Sequence, residues 1–139
     1  MTDTLDEDHA QVVLALLAAN PNIAHVFDGA VSNPTPDPPY VLVYTSVSRP
    51  FGAPSNGLDA ASKTVVTRVK CKCVGLNAAL ARAVGMQVRA ALIDQRPVIA
   101  GRNCGPIHED DAPAPPDRDE STGRLLMVQD LDYMFTSTG

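Results

Sequence analysis

The sequence has no tryptophan, and its aromatic residues amount to 4% of 139 positions. So few aromatics point to a core that is mainly aliphatic. Cysteine is scarce and odd in number, with only Cys71, Cys73 and Cys104. No segment joins a charged start to the apolar run of a secretory signal, so a disulfide framework is not indicated and a reducing cytoplasm is the expected compartment. No apolar stretch approaches the roughly 18 residues that a spanning helix needs, so no membrane partner is expected. Charged residues are only 19% against 45% hydrophobic, which argues against wholesale disorder and for one folded core across residues 1–139. The net charge of −5 and pI near 4.9 have the wrong sign for holding nucleic acid through counterion release, so stable nucleic-acid binding is not expected. There is no P-loop, no dinucleotide-binding glycine pattern and no serine elbow, which leaves an enzymatic or cofactor-dependent role without a motif.

Proline is plentiful, at 12 residues, and it marks long irregular connections. Between them the periodicities are readable. Thr4-Leu5-Asp6-Glu7 has the spacing of a capping box, and Val12, Val13, Leu16 and Leu17 follow at helical intervals until Asn20-Pro21. Ile23 to Asp28 reads as a short strand ending at Gly29. Tyr40 to Val47 is β-branched and aromatic with two apolar faces, which predicts a central strand covered on both sides. Lys63 to Val74 alternates most clearly: Val65, Thr67, Val69, Cys71 and Cys73 share one face, and Val66, Arg68, Lys70 and Lys72 the other. A one-residue slip would bury three cations, so register is strongly specified.

Gly75 breaks that strand, and Leu76 to Asp94 predicts an alanine-rich helix with Leu80, Val84, Val88 and Ala91 as its packing stripe. Arg102 to His108 supplies an edge or bulged strand weakened by Gly105 and Pro106, and Leu125 to Thr136 a final strand. In that last strand Leu125, Met127, Gln129, Leu131, Tyr133 and Phe135 share one face, and Asp130 and Asp132 lie on the other. Loops near 30–39, 49–62 and 111–122 are expected to be mobile. The fold class is α+β: a mixed, mainly antiparallel sheet of four to five strands with two helices packed on it.

The side chains that invite a chemical reading have plainer ones. Cys71 and Cys73 share a strand face, and Cys104 with His108 offers two further metal ligands. The spacing is that of packing rather than of a zinc motif, so no metal is expected. Cys104 and His108 as nucleophile and base lack an activating carboxylate, and His9 and His25 fit surface or satisfied-core roles. The acids at 109–111 and 117–120 lack the ligand alternation of a calcium loop. No catalytic, cofactor-binding or metal residue is assigned.

Contact surfaces are the remaining candidates. Nine of the eleven basic residues lie between Tyr40 and Gly105, and the ends are acidic. Two sets follow: Arg68, Lys70 and Lys72 with Asp130 and Asp132, and the helix line Arg82, Met86, Arg89 and Ile93. Either they meet a neighbouring subunit, or the three cations pair with Asp130 and Asp132 inside one subunit as cross-strand neighbours do.

The order of elements, with Pro39-Tyr40-Val41-Leu42-Val43-Tyr44, then Cys73-Val74-Gly75, Val88-Arg89-Ala90-Ala91-Leu92, and Gly101-Arg102-Asn103-Cys104-Gly105-Pro106-Ile107, resembles the tail terminator proteins of long-tailed phages. The minor tail protein U-like family is meant, in its actinobacteriophage branch. The resemblance covers nearly the whole chain through element order and size. It implies a hexameric ring in the virion, at the neck end of the tail, assembled in the host cytoplasm. Such a ring caps the tail tube protein, stops its polymerisation and meets the head-side connector, with DNA passing through and not stably bound. Another neck or head-completion protein, or a monomeric cytoplasmic binding module, would share the same composition.

Overall fold

The computed structural model describes residues 4–31, 36–49, 64–120 and 125–139. The chain runs α1 (Leu5–Ala18), β1 (Val26–Asp28), β2 (Tyr40–Ser48), β3 (Thr64–Gly75), α2 (Ala78–Leu92), β4 (Asn103–Cys104), β5 (His108–Glu109), β6 (Asp117–Asp119) and β7 (Leu126–Thr138). The strands form one mixed sheet in the order β1-β2-β3-β7-β4, with β5 and β6 also laid along β7. Only β1 and β2 are parallel. Two helices on a largely antiparallel sheet is the α+β architecture that the periodicities predict. The loop expected at 49–62 falls almost wholly outside the described residues, as does part of 30–39.

Helix α1 begins without the capping box. The Thr4 side chain caps no backbone N–H and instead gives its hydroxyl hydrogen to Asp8 Oδ2 at 3.0 Å. Asp6, Glu7 and Asp8 still place negative charge at the positive end of the helix dipole. Its buried residues are His9, Val13 and Leu17, four apart. Helix α2 is capped by Asn77, whose Oδ1 accepts from Leu80 N–H at 2.9 Å. The helix buries Ala81, Gly85, Val88 and Leu92, so its packing stripe is turned by about one position from the expected Leu80, Val84, Val88 and Ala91. Leu80 is 45% exposed. The cause is a close approach to the sheet, because a Cβ on Gly85 would lie 2.6 Å from Gln129 Oε1. Ala81 and Gly85 fit that gap where Leu80 would not.

The main core lies between the helices and one face of the sheet, around Val41, Val43, Val69, Cys71, Cys73, Leu131, Tyr133 and Phe135. A second cluster occupies the opposite face at one end. There Tyr40, Val74, Leu126 and Val128 are covered by Phe27 and Val31, with the Phe27 and Tyr40 rings edge to face at 5.7 Å. The last strand keeps the expected division of faces, and its covered face changes along its length. Leu131, Tyr133 and Phe135 are buried on the helix side, but at the start of β7 the buried residues are Leu126 and Val128, and Leu125 is 54% exposed. Strand alternation is intact throughout; what changes along β7 is which face is covered.

Strand β2 is also less central than its apolar character predicts. It pairs with β3 over its whole length, whereas β1 covers only Val41 to Val43. Asp117–Asp119, expected within a mobile loop, is paired with Leu126–Val128. The anticipated strand near 102–108 is broken into β4 and β5 at Gly105 and Pro106, each piece against β7.

Candidate functional site

Register places the first predicted set together on the sheet face that carries no helix. Lys72 opposes Asp130 and Lys70 opposes Asp132, while Arg68 opposes Met134. Lys72 Nζ lies 3.5 Å from Asp130 Oδ1. Arg68 turns instead to Asp110, its Nε donating to Oδ2 at 3.3 Å, and Asp110 is held in place by its own N–H donating to the Asp132 carbonyl at 2.9 Å. Lys70 and Asp132 form no ion pair with each other among the described residues. Internal cross-strand pairing thus accounts for one cation, a carboxylate outside the predicted set accounts for a second, and Lys70 remains. Both pairs are half exposed, so each is worth at most about 1 kcal/mol. A shallow hollow of about 310 Å³ opens on this face beside Tyr44, Ser46, Arg68, Lys70, Asp110 and Asp132.

The second set lies on the helix side and does not join the first. Met86 is 71% exposed, and Arg82 and Arg89 flank it on α2. Together with Gly85, Pro113 and Gln129 these three line a hollow of about 130 Å³. Gln129 braces its wall, donating from Nε2 to the Ala114 carbonyl at 3.1 Å. Arg89 is engaged in an ion pair with Glu109. Ile93 leaves the line: it is half-buried and packs against the main core, because α2 ends there and the chain turns inward.

The thiols are placed for packing. Cys71, Cys73 and Cys104 are free and buried. Burial is the first cause that pushes the Cys73 thiol up to about 12, with the Asp130 charge adding to it. Cys71 is raised by burial and by its neighbours Cys73 and Asp132. A thiol so raised carries little thiolate at neutral pH and is a weak nucleophile and ligand. His108 is exposed while Cys104 is buried, so the two do not share an environment. Among the described residues no cluster of three histidine, cysteine or acidic side chains could hold a metal, and no helix is long and apolar enough to cross a membrane.

One polar constellation was invisible in the sequence. His9 is fully buried, its Nδ1 2.6 Å from the Leu5 carbonyl and its Nε2 2.7 Å from Ser137 Oγ. The carbonyl only accepts, so Nδ1 carries a hydrogen, and a neutral ring then takes the Ser137 hydroxyl hydrogen at Nε2. Arg102 completes the set by donating from Nε to Ser137 Oγ at 2.9 Å and from Nη2 to the Ser137 carbonyl at 3.2 Å. The serine–histidine distance is one that nucleophile–base pairs use, but Ser137 is 1% exposed and His9 stacks on Phe135. With no room for a substrate, the arrangement ties α1 to the end of β7. Nothing local signals a pairing across 128 positions.

No family profile matches the chain, and no curated protein sequence does. Among solved structures it is similar to a chain of the virion of a native gene transfer agent particle, with a TM-score of 0.62 and 20% identity. The likeness covers 97% of this chain and 95% of that one. At that identity it is a likeness of fold.

Proposed function

We propose that this chain is a structural virion protein that assembles with copies of itself into a hexameric ring. The ring caps the tail tube, ends its polymerisation and joins the tail to the head-side connector. The observation that supports a virion role is the fold shared over nearly the full length of both chains with a component of a gene transfer agent particle. The surfaces are compatible with it. A head-to-tail ring needs two different patches on each subunit, and the charged open face and the Arg82–Met86–Arg89 ridge lie on opposite sides of the sheet. The role needs no catalytic chemistry: the thiols are buried, and the His9–Ser137 pair is sealed by α1 and Phe135.

The same likeness suits another neck or head-completion protein, and loss of the gene separates the two. Particles made without this chain are expected to carry overlong tails; tails of normal length beside unjoined heads would assign it to head completion. Light scattering that returns only monomer, both alone and with tube protein, would leave a binding module in place of a ring.

A further inference from the structure

The sheet ends on two edges of different construction. Along the outer side of β7 the chain lays β4, β5 and β6, each two or three residues long. Pro106, Pro113, Pro115 and Pro116 interrupt them, and Glu109 and Asp117 add charge. Short strands, prolines and charges are the devices by which a sheet edge resists further pairing. Strand β2 has none of these. From Tyr40 to Ser48 it contains no proline and no charged residue, and its ladder with β3 is unbroken over 9 residues.

The backbone of β2 can be oriented residue by residue. Val41 N–H donates to the His25 carbonyl at 3.0 Å, and the Val43 carbonyl accepts from Gly29 N–H at 2.8 Å. Residues 41 and 43 therefore turn their backbone groups toward β1, and 42, 44, 46 and 48 turn theirs toward β3. The same alternation sends the N–H and C=O of Thr45 and Val47 outward, beyond the end of β1, where no described strand meets them.

We infer that the outer edge of β2 from Tyr44 to Ser48 is a strand-addition site whose occupant is the same edge of a second copy of this chain. The segment is its own complement. Set antiparallel about Ser46, Thr45 of each copy faces Val47 of the other, and every outward N–H and C=O finds a partner. Uncharged side chains on both strands mean that no like charges are brought together. Because the far edge of the sheet is guarded, pairing stops after one contact and does not run on as an open fibre. The contact is two-fold, distinct from the head-to-tail contacts of a ring. It rests on the function proposed above only in taking the partner to be a copy of this chain.

Proline at position 47 is the test that this geometry allows. Val47 N–H meets no partner among the described residues, so Val47→Pro removes an outward donor while leaving the β2–β3 ladder whole. Ser46→Pro, one position away, removes an inward donor and is expected to unfold the chain. With the full-length protein followed by light scattering over a concentration series, Val47→Pro is expected to weaken the even-numbered association at least about tenfold, with an unchanged circular dichroism spectrum. Val47→Thr is expected to associate as the parent does. Hydrogen exchange on the parent protein decides the matter even if Val47→Pro fails to fold. The Thr45 and Val47 amides should exchange rapidly in dilute monomer and slowly once associated, whereas those of Tyr44 and Ser46 stay protected in both. Unchanged association of a folded Val47→Pro, or Thr45 and Val47 amides that stay fast in the associated protein, would overturn the inference. A ring of unchanged mass in Val47→Pro would refute the edge and keep the ring. Halved mass together with no binding to tube protein would keep the edge and refute the tail assignment.

Discussion

Gly75 and Gly85 present a prediction in which two similar distances have opposite consequences. A Cβ on Gly75 would sit 2.5 Å from Ala81 N and 2.7 Å from Leu80 C, both backbone atoms of the first turn of α2. A Cβ on Gly85 would sit 2.6 Å from Gln129 Oε1, the end of a flexible side chain. For Gly75→Ala the helix start must retreat by roughly 0.9 Å to restore ordinary contact. That movement lifts Ala81 from its seat and strains the Asn77 cap, an overpacking cost of about 1–3 kcal/mol with about 1 kcal/mol more from the cap. The lower chain entropy of alanine returns about 0.5–1 kcal/mol, leaving a net loss of about 1–3.5 kcal/mol. For Gly85→Ala the amide of Gln129 swings aside and gives up its bond to Ala114, a loss of about 1 kcal/mol, while alanine in mid-helix regains about 1 kcal/mol. That variant should fall within about 1 kcal/mol of the parent. Urea unfolding followed by circular dichroism measures both. Equal losses in the two variants, or a Gly75→Ala within about 1 kcal/mol of the parent, would refute the argument by showing that the helix start slides freely.

Further outcomes follow from the buried polar groups. His9→Ala removes a stacked ring and leaves the Leu5 carbonyl and Ser137 without their partner, so a loss of about 3–4 kcal/mol in urea unfolding is expected, a large share of a small domain's stability. Thr67 is fully buried and its hydroxyl has no hydrogen-bond partner among the described residues, so Thr67→Val should raise stability by about 1 kcal/mol, read as a higher urea midpoint. The raised thiols set the alkaline limit. Below the ordinary thiol range near 9 their contribution is fully present, and as pH rises from there toward the folded value of about 12 for Cys73 it is lost, by up to about 1.4 kcal/mol per pH unit for each thiol. Unfolding midpoints from pH 8 to 11 should show that slope, and Cys73→Ala should flatten it.

Local pattern and tertiary placement divide the determination of this protein between them. The alternation in Lys63 to Val74 determined the register of β3 unaided, because a slip would bury Arg68, Lys70 and Lys72, and the structure places all three on the open face. The alanine-rich stretch after Gly75 determined a helix for the same local reason, that its side chains favour one backbone state. Which stripe of that helix packs was decided by the sheet, since Gln129 stands under Gly85 and leaves no room there for a long side chain. The carboxylate that answers Arg68 was likewise a matter of position, because Asp110 reaches it only through a hydrogen bond to the Asp132 carbonyl. His9 and Ser137 carry no local signal, and their bond exists because α1 crosses the end of β7. The apolar run Tyr40 to Val47 shows the limit most plainly. Its composition determined a strand, but whether that strand is central or an edge depends on how far β1 extends beside it, and β1 stops at Asp28. Side-chain periodicity reports which face is buried; it says nothing of what lies in the plane of the sheet, where backbone groups alone make the contact.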